Sequence, residues 1–173
     1  GMIYALQIGV VSMIGLMLLG PLGMAHMGLE DGLAQGASPA LMVFALSMPA
    51  YLISVAAQFF LEALNKPKPG MVAMWVANAV NLALNLLLVP DILNLGVHGA
   101  QASACATFAA RASLAIFLVI YILRLPEARA LGVFNRPRPD PATATEQRRI
   151  GYGGGSSYFI EVAAVAAKAV FAG

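Results

Sequence analysis

The sequence predicts an all-α integral membrane protein, a polytopic bundle of about five transmembrane helices. Composition is the first reason: of 173 residues, 60% are hydrophobic and 10% charged, with a mean hydropathy of +0.81. A soluble domain carries about a quarter charged residues, so polar surface is too scarce here to cover a water-soluble globule. Second, the apolar residues arrive in continuous blocks about twenty long, which at ~1.5 Å per residue cross a hydrocarbon core of ~30 Å. A transmembrane β-barrel would show alternating segments of about ten residues instead. Third, the cations are confined to alternate connections between the blocks.

The first block covers residues 2–24 and is interrupted near its end by Gly20-Pro21 and Gly23. No cationic stretch precedes it, so it reads as a true span, or as part of a chain whose natural start lies upstream, and not as a cleavable signal peptide. A polar turn follows through His26, Glu30, Asp31, Gly32, Gln35, Gly36 and Ser38. The second block, 39–64, contains Pro49, where a kink is expected because neighbouring helices can satisfy the freed carbonyl. Residues 65–70, Asn-Lys-Pro-Lys-Pro-Gly, form a compact breaker. The third block, 71–89, stops at Pro90-Asp91, and a turn through Asn94, Gly96 and Gly99 leads into the fourth, 100–123. Residues 124–149 are rich in Arg and Pro, too polar for lipid and too broken for one helix, and are expected to be a solvent-exposed linker. The fifth block, 150–173, opens on Gly151 and Gly153-Gly154-Gly155 and becomes rich in Ala, Val and Phe.

Eight of the ten Lys and Arg residues (Lys66, Lys68, Arg124, Arg129, Arg136, Arg138, Arg148, Arg149) fall in the second and fourth connections. The first and third hold Glu30, Asp31 and Asp91. By the positive-inside rule, 65–70 and 124–149 lie on the cytoplasmic side of a multi-pass protein. The partner this implies is the lipid bilayer. Nucleic acid is not expected, because no aromatic platform interleaves with the basic residues.

Polar side chains at mid-span depth carry the functional information, since they are costly in lipid. In the third block Asn78, Asn81 and Asn85 fall at i, i+3 and i+7 on one helix face. Their amides suit coordination of a cation or polar substrate, or equally the fastening of one helix to another. In the fourth block Ser103, Thr107 and Arg111 recur every four residues. Arg111 sits at mid-span, where the cost is roughly 2.5–3.5 kcal/mol, so it should face the bundle interior as a functional cation or as a structural partner of a carboxylate or carbonyls. In the fifth block Glu161 is an isolated carboxylate, with Lys168 seven residues on, about 10 Å along the axis. A buried carboxylate has a raised affinity for protons and can exchange one for a cation; the alternative is a structural Glu–Lys pair, for which this separation is too long on a straight helix.

Other features point away from chemistry. Cys105 is the lone cysteine, and His26 and His98 have no ligand-spaced partners, so no metal site is expected. Glu62 stands beside Lys66 and Lys68 at a block end, and the nine Met residues read as packing. Gly153-Gly154-Gly155 lacks the Lys-Ser/Thr of a phosphate loop. With no converging acid, base and nucleophile, an enzyme is not expected.

Two stretches resemble the multidrug and toxic compound extrusion (MATE) transporters of bacteria. Residues 60–71, Phe-Leu-Glu-Ala-Leu-Asn-Lys-Pro-Lys-Pro-Gly-Met, are similar to the turn joining that family's fourth and fifth helices. Residues 77–88, with Asn81-x-x-x-Asn85, and then Gly96-Val97-His98-Gly99-Ala100, resemble its fifth helix and the entry to its sixth. Arg149-Ile150-Gly151 followed by Phe159-Ile160-Glu161 is similar to the start of its seventh. The sequence departs from the family at Gln58, where an arginine is usual before Phe60, at Ala104, where a threonine is usual, and at Gly151-Tyr152-Gly153, where Gly-x-Pro is usual.

The resemblance implies a two-lobe, twelve-helix transporter of the inner membrane. Residues 1–123 would supply four helices of the first lobe, 124–149 the linker, and 150–173 the first helix of the second lobe. The missing remainder of the transporter would be the partner. The activity implied is antiport, with drugs or small amphipathic or cationic substrates leaving against inward Na⁺ or H⁺. No cofactor is implied beyond that coupling ion. Glu161 would be the cation-site carboxylate, and Asn81 and Asn85 a polar pair in the first-lobe cavity, where some members carry Asp at the latter position. Two other readings are a flippase of the same superfamily for lipid-linked or polysaccharide substrates, using Arg111 and Lys168, and a non-transporting membrane scaffold.

Overall fold

The computed structural model describes residues 2–26, 31–92, 96–97, 99–132, 145–146, 148–149, 160 and 164. The chain divides into two compact units, Gly1–Leu131 and Gly132–Gly173. In the first, six helices follow one another: α1 (Met2–His26), α2 (Asp31–Leu46), α3 (Met48–Ala63), α4 (Pro67–Leu88), α5 (Gly99–Arg124) and the short α6 (Pro126–Ala130). Among the described residues of the second unit, Thr145, Glu146, Arg148, Arg149, Ile160 and Ala164 are helical; most of the fifth apolar block lies outside the described residues. No strand occurs among the described residues.

Among the described residues three helices are long and apolar enough to cross a membrane (Met2–Gly23, Pro67–Leu88, Gly99–Arg124), and Ala37–Leu46 with Met48–Ala63, bent by 41° at a short break, have the length and apolarity of a fourth, as a broken span or a re-entrant loop. Their outward faces are apolar and unpaired, with Trp75 75% exposed and Val11 69%. Such faces are untenable in water and are matched by lipid tails.

The broken span differs from a simple kink at Pro49. The break lies at Ser47, two residues upstream. Proline at 49 has no N–H to offer the Ala45 carbonyl and its ring crowds that carbonyl, so the ladder opens in the turn before the proline. Pro49 then sits within the first turn of α3, where its missing donor is no loss. The α2 helix also begins earlier than the polarity of its sequence suggests, at Asp31 and not near residue 39. Leu33, Ala34 and Gln35 are good helix formers, and polarity alone does not stop a helix.

The breaker at 65–70 works from both sides. Asn65 takes a left-handed φ of 57°. Its N–H reaches the Glu62 carbonyl at 2.9 Å, and the Lys66 N–H reaches that of Leu61 at 2.8 Å, which closes the end of α3 in a Schellman motif. Pro67 and Pro69 then enter the first turn of α4, so this helix starts four residues before the apolar block does.

Alanine and glycine set the spacing of the bundle. Ala102, Ala104, Ala106, Ala110 and Ala115 are buried along α5, which packs against α2, α3 and α4. Small side chains let backbones approach closely, the main source of attraction between helices in lipid. On the other side α1 packs on α2 and α3. There a Cβ built on Gly9 would stand 2.6 Å from the Pro49 Cα, so only glycine fits at that crossing.

One end of the bundle is closed by a core of Ala57, Leu61, Ala73, Leu118, Ile122, Leu125 and Ala128. Its last two members come from the stretch expected to be solvated linker. Residues 125–130 instead fold back, with Leu125 and Ala128 buried, because their apolar side chains recur on one face of α6. The Lys66 ammonium donates to the Glu127 carboxylate across the same end. That hydrogen bond holds the Glu127 carboxyl below its ordinary value of 4.5.

Candidate functional site

Three helices each turn a stripe at i, i+3, i+4 and i+7 toward one another. Tyr51, Ser54, Val55 and Gln58 come from α3, Met74, Ala77, Asn78 and Asn81 from α4, and Thr107, Ala110, Arg111 and Leu114 from α5. This spacing lays residues along one face of a helix. Between the stripes lies a cavity of about 470 Å³, within the usual size of small-molecule sites.

Two polar systems form its wall. In the first, the Asn85 Nδ2 donates to the Asn81 Oδ1 at 3.0 Å and to the Asn81 backbone carbonyl at 2.9 Å. The Asn81 Nδ2 donates to the Thr107 Oγ1 at 3.4 Å, and that hydroxyl donates to the Ser103 carbonyl at 3.0 Å. These hydrogen bonds all run one way, and they tie α4 to α5 at the cavity. Asn81 and Thr107 line the cavity, while Asn85 stands behind them and Ser103 contributes its backbone carbonyl. Asn78 lies on the lining itself, and among the described residues neither its amide nor that of Gln58 has a protein partner.

The second system is built on Arg111, thirteenth of the 26 residues of α5 and so at its midpoint. Its Nη1 donates to the Ser47 Oγ at 2.7 Å, and Ser47, fully buried, is the residue at the break between α2 and α3. The guanidinium carbon also lies 4.5 Å from the ring centre of Phe44 and 4.7 Å from that of Tyr51. The expected partner of Arg111 was a carboxylate or helix-end carbonyls; the structure supplies two aromatic faces and a hydroxyl. Cation–π contacts contribute about 0.5–2 kcal/mol each, and a hydrogen bond from a charged donor about 1.5–3 kcal/mol, enough to offset the cost of an arginine at this depth.

The structure thus brings Asn78, Asn81, Thr107 and Arg111 to one cavity and places Asn85 and Ser103 immediately behind it. Glu161 and Lys168 lie outside the described residues. Tyr51 and Ser54 were not among the expected cavity residues, and Gln58 was noted only as a departure from the family, although the three repeat at i, i+3 and i+7 like the asparagines. Among the described residues no three His, Cys, Asp or Glu side chains are grouped to hold a metal ion.

Comparison with known proteins places this geometry in context. No family model matches the chain, and no solved structure matches it. Among curated relatives, the probable multidrug resistance protein NorM of Caulobacter vibrioides is 51% identical over all 173 residues, which cover 37% of that relative. The protein of the same name from Neisseria meningitidis is 30% identical over 132 residues, 75% of this chain and 29% of the relative. That from Mannheimia succiniciproducens is 28% identical over 128 residues, 73% of this chain and 28% of the relative. The chain therefore spans about a third of the length of the curated relatives it matches. Each of these relatives carries the name of a multidrug resistance protein and none that of an enzyme. With at least three membrane-length apolar helices among the described residues and 51% identity to such a relative over residues 1–173, the chain is a multi-pass membrane protein and belongs to the multidrug and toxic compound extrusion family.

Proposed function

We propose that the chain forms part of a cation-coupled antiporter that exports drugs, organic cations or other amphipathic compounds across the inner membrane, with Na⁺ or H⁺ as the coupling ion. The observation that carries this reading is the polar cavity at mid-span depth, walled by Asn78, Asn81, Thr107 and Arg111 on three packed helices. Buried polar groups are expensive in lipid and mark substrate or ion pathways. A scaffold needs its polar residues paired across helices, whereas the amides of Asn78 and Gln58 face the cavity without a partner among the described residues. The names of the relatives support export of drugs.

In this reading residues 65–70 and 124–149 lie in the cytoplasm and Glu161 is the coupling carboxylate. An alternating-access cycle rocks two lobes about a midplane site. The chain accordingly works together with the remaining length that its relatives possess. The test is ethidium efflux from proteoliposomes under an imposed Na⁺ or H⁺ gradient, with the chain expressed in that full-length setting. Efflux driven by one of the two gradients and abolished by Glu161→Gln is expected. Gradient-independent leakage, or full activity in Glu161→Gln, refutes the coupling role.

A further inference from the structure

We propose that the cavity binds the carboxylate of an amphipathic small molecule at Arg111, a refinement that rests on the transport reading above. Among the twelve described residues lining the cavity Arg111 carries the single formal charge; the rest of them are apolar or neutral, and none is Asp or Glu. Guanidinium presents five N–H donors in a planar fork. Ser47 accepts one of them, and among the described residues no other acceptor meets the group. Phe44 and Tyr51, at 4.5 and 4.7 Å, stabilise the positive charge but offer no in-plane oxygen to the remaining donors. The described residues thus hold the arginine in place and leave most of its hydrogen-bonding capacity unspent.

The chemistry that completes it is a planar anion with two parallel oxygens, since Arg–carboxylate pairs form by paired N–H···O bonds. A simple cation such as ethidium gains nothing at Arg111, where it meets a like charge, and must use the neutral part of the space, whereas an acid or zwitterion can place its carboxylate there. The neutral amides of Asn78 and Gln58 are placed to take the polar groups of the same ligand, and Val55, Met74 and Leu114 its apolar body. A lipid phosphate shares part of this chemistry. Two features favour the small molecule: the cavity is bounded by three helices, and its 470 Å³ suits a drug-sized ligand better than a two-tailed lipid.

The test uses dansylglycine and its neutral analogue dansylglycinamide, whose emission rises on leaving water, titrated against the purified full chain in phosphatidylcholine nanodiscs. In the unmodified protein the acid is expected to bind at least about tenfold more tightly than the amide, the increment of one bidentate charge-assisted pair. Arg111→Gln should bring the ratio of acid to amide affinity down to about one. Arg111→Lys, which keeps the charge without the fork, should fall between. Equal affinities in the unmodified protein overturn the proposal, and that comparison needs no variant to fold. Loss of dansylglycine binding when phosphatidylglycerol replaces half of the lipid assigns Arg111 to headgroups and also overturns it. Acid-selective binding with no gradient-driven efflux defeats the transport reading alone. Ethidium efflux with no acid preference defeats the carboxylate site alone.

Discussion

Alanine in place of Gly9 puts a methyl group where α1 crosses the start of α3. The added carbon would stand 2.6 Å from the Pro49 Cα, 3.1 Å from its nitrogen and 3.3 Å from the Met48 carbonyl oxygen. All three are backbone atoms that cannot swing aside. Carbon atoms rest at about 3.5–4.0 Å, so α1 must retreat by roughly 1 Å, and a gap of that size forfeits a quarter to a half of the dispersion energy along the crossing. Overpacking of this kind costs about 1–3 kcal/mol, while alanine returns about 1 kcal/mol of helix propensity. The second contribution is removed by a control. Gly15 lies in the same helix with nothing within 4 Å of a Cβ placed on it, so Gly15→Ala gains the propensity without the clash. Gly9→Ala is therefore expected to be about 1–3 kcal/mol less stable than Gly15→Ala. Cys105 is the lone cysteine and sits partly covered in α5, so thermal exposure of its thiol to a fluorogenic maleimide reads unfolding of the bundle without further labelling. Equal midpoints for the two variants would refute the close crossing of α1 and α3.

Three further outcomes follow from the same geometry. Ser47→Ala removes the hydrogen bond from Arg111 and is expected to destabilise the bundle by about 1.5–3 kcal/mol, read by the same thiol assay. Tyr51→Leu should cost about 0.5–2 kcal/mol through the lost cation–π contact, whereas Tyr51→Phe keeps the ring and should melt with the parent protein. Because Lys66 holds the Glu127 carboxyl below 4.5 in the folded protein, the pair's contribution is complete above that value and fades as pH falls through the lowered folded value. Melting midpoints recorded from neutral to acid pH should show that loss in the parent protein and not in Glu127→Gln, with the difference shrinking at high salt.

How far the sequence spoke for itself differs from element to element. Hydropathy alone located α1, α4 and α5, because lipid imposes length and apolarity on a span whatever its neighbours are. Helical spacing put Asn78 and Asn81 on one face, and the cost of a mid-span charge turned Arg111 inward, so part of the cavity was legible one helix at a time. What remained hidden belongs to pairs of helices. Pro49 places the break in the turn before it, at Ser47, but nothing in residues 39–64 says that Arg111, 64 residues on, reaches that serine. Lys66 and Glu127 are 61 residues apart, and their meeting depends on α6 folding back on Leu125 and Ala128. Tyr51, Ser54 and Gln58 form a stripe in the sequence, but with apolar residues on every side of α3 that period alone does not say which neighbours the stripe meets.

The hydrogen bonds from Asn85 to the Ser103 carbonyl have a polarity, and residue 85 sets it. Asn85 gives its protons to two oxygens of Asn81. An aspartate there would face those oxygens with oxygens of its own. Relief requires the carboxylate to swing away from the Asn81 backbone carbonyl and the Asn81 amide to turn over, offering its NH₂ to the new carboxylate and its carbonyl to Thr107. The threonine hydroxyl would then give its proton to Asn81 and release the Ser103 carbonyl to which it now donates. A single change of side chain outside the cavity would thereby be written onto its wall as a reversed dipole. The amide of residue 81 acts as the inverter between the two.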